Sequence, residues 1–136
     1  CRPHFTSRIE YSGGRVEYRQ KPEQVGTVTM RESTWRDLHE AMRLVVSSGT
    51  GKAALIPGLE VYGKTGTSQN PGKDHAWFVS FAARPGEVPS IAVAVLVENG
   101  EHGGTSAGPI ARSMMLAAFG MPDPNKPAAS APMRRL

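Results

Sequence analysis

Residues Ser90–Glu98 constrain the fold more than any other stretch. Ile91, Val93, Val95 and Val97 alternate there with Ala92, Ala94 and Leu96. Side chains of a strand point alternately to its two faces, so this strand is apolar on both. Such a strand must lose both faces from water, as in the middle of a sheet with helices on each side. Two further runs read as strands, Glu60–Thr67 and Ala76–Ala83, the second rich in aromatic and β-branched residues. The linker 84–89 is short and carries Pro85-Gly86, which predicts an antiparallel hairpin between the second and third strands.

Two helices flank these strands. Trp35, Leu38, Met42, Val45 and Val46 recur at helical spacing and predict a helix over 34–48. Thr34 and Asp37 suggest a capping pair at its start, and Gly49 and Gly51 a glycine stop in the left-handed conformation. A second helix is expected over 109–119. Pro109 suits its first turn, Ser106 or Gly108 its cap, and Gly120 with Pro122 its end. Residues 1–30 read as extended segments, with Gly13-Gly14 turning a small hairpin between residues 8–11 and 15–18. Contiguous antiparallel strands with helices packed on them define an α+β fold.

Length and charge narrow the function classes. A chain of 136 residues suffices for one small domain or part of a larger one. The net charge of +4 comes largely from Arg2, Arg8, Lys126, Arg134 and Arg135 near the ends, and no basic run interleaved with aromatics argues for nucleic-acid binding. Cys1 is the only cysteine, so neither an internal disulfide nor a Cys-x-x-Cys metal site is expected. No signal peptide or membrane-spanning run is seen in a sequence that opens on Cys1-Arg2-Pro3 rather than Met. Residues 1–122 are expected to fold together, and the Pro/Ala-rich stretch 123–136 to be a disordered tail.

The chemistry concentrates on Lys64-Thr65-Gly66-Thr67. Lys64 supplies a positive charge, and the Thr65 and Thr67 hydroxyls can donate to a carboxylate. Gly66 lets another backbone lie against the strand, and a strand edge can pair with an extended peptide. The tetrad therefore suits an anionic, peptide-like ligand. Read alone, it is equally compatible with a strand end bearing a solvated lysine.

The surrounding blocks add to this. Val45 to Ala54, Pro57-Gly58, and Val61-Tyr62-Gly63 leading into Lys64 to Gln69 resemble the approach to the third active-site motif of class B penicillin-binding proteins. Asp74 to Ala82, Val93 to Gly100, Gly103-Gly104 and, near the start, Arg2-Pro3-His4-Phe5 continue the resemblance in order over residues 1–120. Within the family, the penicillin-binding protein 2 subgroup is the most similar. The family uses Ser-x-x-Lys, Ser-x-Asn and Lys-Thr-Gly motifs.

The resemblance implies the C-terminal part of a serine β-lactamase/D,D-transpeptidase-like fold and a parent that cross-links peptidoglycan stem peptides through a serine acyl-enzyme. Lys64 would then be catalytic, and Thr65, Gly66 and Thr67 would bind the terminal carboxylate of a stem peptide or β-lactam. The Thr67 backbone N–H would donate to the oxyanion. It implies no cofactor or metal. Its partners would be the rest of the parent chain and cell-wall synthesis proteins. The location would be the periplasmic face of a bacterial inner membrane, through an anchor outside this sequence. No Ser-x-x-Lys occurs among the 136 residues, so this chain alone is expected to be inactive. Ser68-Gln69-Asn70 fits Ser-x-Asn only as a pattern, because it directly follows the tetrad.

Rival readings exist. The family fold also serves non-catalytic β-lactam or peptidoglycan binding and sensing, and the tetrad does not separate these from an enzyme. Gly104-Thr105-Ser106-Ala107-Gly108 matches a nucleophile elbow with Ser106 as nucleophile of an α/β-hydrolase, but no histidine follows it. Gly49-Thr50-Gly51-Lys52 lacks the residues of a phosphate loop, and His39-Glu40 lacks the second histidine of a zinc protease, leaving a solvated helix face.

Overall fold

The structure is a computed structural model, and it describes residues 2–125. It divides into two compact units between Glu32 and Ser33. In the first, β1 (Arg8–Glu10) and β2 (Val16–Arg19) form the expected hairpin, with a bulge at Ile9/Glu10. Arg2 reaches Glu23 at 2.8 Å. Ile9 and Tyr18 stay exposed, so no core forms inside this unit.

The second unit carries helix α1 (Glu32–Ser47, its first residue just across the division), strands β3 (Glu60–Ser68), β4 (His75–Ala83) and β5 (Ile91–Val97), and helix α2 (Gly108–Ala118). The strands form one antiparallel sheet in the order β3-β4-β5, as the short linkers predict. Gly86, at φ +78°, turns the chain between β4 and β5. The architecture is the α+β one read from the sequence.

Helix α2 covers one sheet face. Ala111, Met115 and Leu116 pack with Val61, Phe78, Ala82, Val93 and Val95, and with Ile56 and Ala54 from the segment before β3. Burying each large side chain contributes about 1.5–3 kcal/mol. The Ser80 hydroxyl, buried on this face, donates to the Met115 sulfur at 3.9 Å. Arg112 of α2 donates to the Leu55 carbonyl at 3.0 Å and pairs with Asp123 at 3.4 Å, which holds Asp123 against the helix. The helix ends at Gly120, whose φ of +67° lets Met121 N–H reach the Leu116 carbonyl at 2.8 Å. The expectation of a disordered tail falls for residues 126–136 outside the described residues.

Several local expectations are corrected. Helix α1 begins at Glu32, so Thr34 lies in its first turn and is no cap; Glu32 instead faces the positive end of the helix dipole. Gly49 is not left-handed, and its role is spatial: an added Cβ would come within 2.9 Å of the Val45 Cα. No side chain caps α2, which is preceded by a π-helical turn, Gly103–Ala107.

The buried stripe of α1 also differs. Leu38 is 41% exposed, and His39 replaces it, its ring 5.3 Å from those of Tyr62 and Phe81. His39 is therefore packed against aromatic rings rather than solvated. At the other end Val46 is fully buried beside Gly63, where a Cβ would meet the Phe78 ring at 2.5 Å.

The strongest expectation fails in part. β5 buries Val93 and Val95 but leaves Ala92, Ala94 and Leu96 exposed, Leu96 by 44%. Val79 and Trp77, which alternate onto that same face, are exposed as well. His39 and Met42 of α1 reach this face at its Phe81 end.

Candidate functional site

β3 is an edge strand, and its alternation sorts the tetrad. Thr65 and Thr67 lie on the face that α2 covers; Lys64 and Gly66 lie on the other, in register with Val79 and Trp77. The Lys64 ammonium curls round to donate to the Thr65 carbonyl at 2.8 Å. That carbonyl is thus turned toward the free edge. Since N–H and C=O of one residue point the same way and every second residue repeats, the Thr67 N–H faces the free edge too.

The two threonines share a cleft. Thr50, in the turn after α1, places its hydroxyl 3.0 Å from that of Thr65. Gly51 fixes this turn by donating to the Val45 carbonyl at 2.8 Å. From the opposite side comes the π-helical turn. A Cβ on Gly103 would fall 2.1 Å from the Trp77 carbonyl, and one on Gly104 would fall 1.9 Å from that of Thr50. Only glycines let this turn sit directly on the Gly66–Trp77 pair and on Thr50. Thr50, Thr65, Thr67, His102, Gly103, Gly104 and Thr105 line the resulting cleft of about 370 Å³.

A second cleft of about 460 Å³ adjoins it, walled by Thr67, Gly72, Lys73, Asp74, Glu101 and His102. Glu101 N–H donates to the Asp74 carbonyl at 2.9 Å, and Lys73 approaches Glu101 at 3.6 Å, joining the two loops. The Asn99 N–H donates to His75 Nδ1 at 3.0 Å. Asn99 and Glu101 both hold left-handed backbone, at φ 57° and 61°, a cost that the bonds of this turn sustain.

The structure therefore unites Thr65 and Thr67 with Thr50, His102 and the Gly103-Gly104 pair, none of which the sequence reading placed among the site residues. Two signals pointed to them, the glycines flanking Thr50 and the doubled glycine before the last helix. Lys64 is not among the residues lining the cleft. Ser106 is no nucleophile here: its hydroxyl donates to the Gly100 carbonyl at 2.6 Å, and a carbonyl cannot take its proton as an imidazole would. The Ser68 hydroxyl accepts from the Trp77 indole at 2.9 Å. Among the described residues no helix is long and apolar enough to cross a membrane.

An antiparallel sheet backed by helices, with a Lys-Thr-Gly-Thr edge strand beside a hydroxyl-lined cleft, is the arrangement of penicillin-recognising serine acyl-enzymes. The model for the penicillin binding protein transpeptidase domain matches residues 1–116, and the chain belongs to that family. The peptidoglycan D,D-transpeptidase MrdA of Acinetobacter baumannii is 40% identical over 92 residues, which are 56% of this chain and 13% of that protein. Penicillin-binding protein A of Mycobacterium tuberculosis, solved as an imipenem acyl-enzyme, superposes with a TM-score of 0.65 at 29% identity, over 87% of this chain and 26% of that one. Pseudomonas aeruginosa penicillin-binding protein 2, solved with WCK 5153, gives 0.62 at 30% identity, over 84% and 27%. These relatives support the class B resemblance and the penicillin binding protein 2 subgroup. The chain spans only a small part of their length.

Proposed function

We propose that this chain is the substrate-binding wall of a serine D,D-transpeptidase that cross-links peptidoglycan stem peptides and is acylated by β-lactams. One observation carries this reading: the Thr65 and Thr67 side chains share a cleft on the strand whose Thr67 N–H faces the free edge. Hydroxyls that donate to a carboxylate and an N–H that donates to a developing oxyanion then lie on adjacent residues of one rigid strand. Each oxyanion donor is worth on the order of 3 kcal/mol in the transition state. The nucleophilic serine and its lysine come from another segment, and Lys64, on the opposite face of β3, serves them electrostatically and in proton transfer. The chain by itself neither acylates nor cross-links. The parent works at the periplasmic side of the inner membrane with other wall-synthesis proteins, and needs no cofactor.

The test is Lys64→Ala in the intact transpeptidase. Lys64 is exposed, so the fold should survive. Acylation by penicillin should slow about a hundredfold or more, the scale of a lost proton-transfer group. Unchanged acylation kinetics would remove Lys64 from the mechanism.

A further inference from the structure

The cleft containing Thr65 and Thr67 has one ionisable side chain among its described lining residues, His102; the others are four threonines, Thr50, Thr65, Thr67 and Thr105, and the glycines Gly103 and Gly104. Lys64, the cation expected to serve the ligand, stands on the opposite face of β3. His102 also lines the adjoining cleft, so together with Thr67 it forms the ridge between the two.

Its backbone is held at every polar atom. The His102 N–H donates to the Gly100 carbonyl at 2.7 Å, and its carbonyl accepts from Ser106 N–H at 3.0 Å and the Thr105 hydroxyl at 3.3 Å. Left-handed Glu101 precedes it, and Gly103, seated on the Gly66–Trp77 pair, follows. The turn thereby places His102 on the wall of the cleft that Thr65 and Thr67 share.

We infer that His102 is a substrate-contacting residue that donates a ring N–H to the ligand carboxylate held by Thr65 and Thr67. A hydrogen bond to an ionised acceptor is roughly twice as strong as one to a neutral acceptor, so this donor discriminates the carboxylate from its uncharged derivatives. His102 thereby sets the requirement for a free carboxylate. The inference rests on the transpeptidase reading of the cleft.

The experiment compares acylation of the intact transpeptidase by a penicillin and by the methyl ester of that penicillin. Wild type should prefer the free acid. In His102→Phe, which keeps a ring but no donor, the acid-to-ester preference should fall about tenfold. In His102→Gln, which keeps a side-chain N–H donor, it should be substantially restored, a rescue that a merely structural role would not produce. Preference retained in full by His102→Phe would overturn the assignment of His102 alone. Equal acylation of wild type by acid and ester would remove the carboxylate reading of the cleft, and this inference with it.

Discussion

Substituting Gly103 by alanine tests how the cleft is built. Gly103 is not left-handed, so its backbone accepts alanine, and loss of freedom in the unfolded chain would favour the variant by about 0.4–1 kcal/mol. Contact decides otherwise. The new Cβ would lie 2.1 Å from the Trp77 carbonyl oxygen and 2.9 Å from that of Gly66, both backbone atoms in a paired register. The turn must withdraw by roughly 1 Å, and overpacking of this kind costs about 1–3 kcal/mol. Strain therefore wins. Withdrawal also carries His102 and Thr105 away from Thr65 and Thr67, and a 1 Å misplacement costs on the order of a hundredfold in rate. Gly108→Ala is the paired control: its Cβ meets nothing nearer than the Ala53 Cβ at 3.6 Å, so it should be neutral or mildly stabilising. The assay is urea denaturation and penicillin acylation of the transpeptidase domain containing each change. Gly103→Ala with wild-type stability and acylation would refute the claim that the glycine pair seats the turn on the sheet.

Two further outcomes follow from the geometry. Residues 1–136 alone should show no sharp cooperative transition in calorimetry, because Val79, Leu96 and Trp77 are exposed on one face and, among the described residues, both edges of the β3-β4-β5 sheet are unpaired; a cooperative transition would count against this. Burial, and then the hydrogen bond to Glu60, hold the Tyr62 phenol above its usual pKa. Its contribution is complete below the ordinary tyrosine range and is lost as pH rises through the raised value. Between about pH 8 and pH 11 the urea midpoint of the transpeptidase domain should fall less in Tyr62→Phe than in wild type, and equal slopes would dismiss the effect.

Much of this protein follows from local sequence. Period-two runs and a Pro-Gly turn specify β4 and β5, Gly13-Gly14 specifies the first hairpin, and Lys64-Thr65-Gly66-Thr67 marks the chemical strand, because each depends on residues close in the chain. The doubled apolar character of Ile91–Val97 predicted cover on both faces, yet among the described residues α2 covers one and Ala92, Ala94 and Leu96 stay exposed on the other. Periodicity states that a face must be buried; it does not say by what. His39 passed as a solvated helix residue because its partners Tyr62 and Phe81 come from two distant strands. The partition of the tetrad, Thr65 and Thr67 into the cleft and Lys64 away from it, needed the strand's packed face to be known. Thr50 and His102 reach the threonines only because two glycines allow backbone to rest on backbone, a contact between residues far apart in sequence that only the tertiary fold creates.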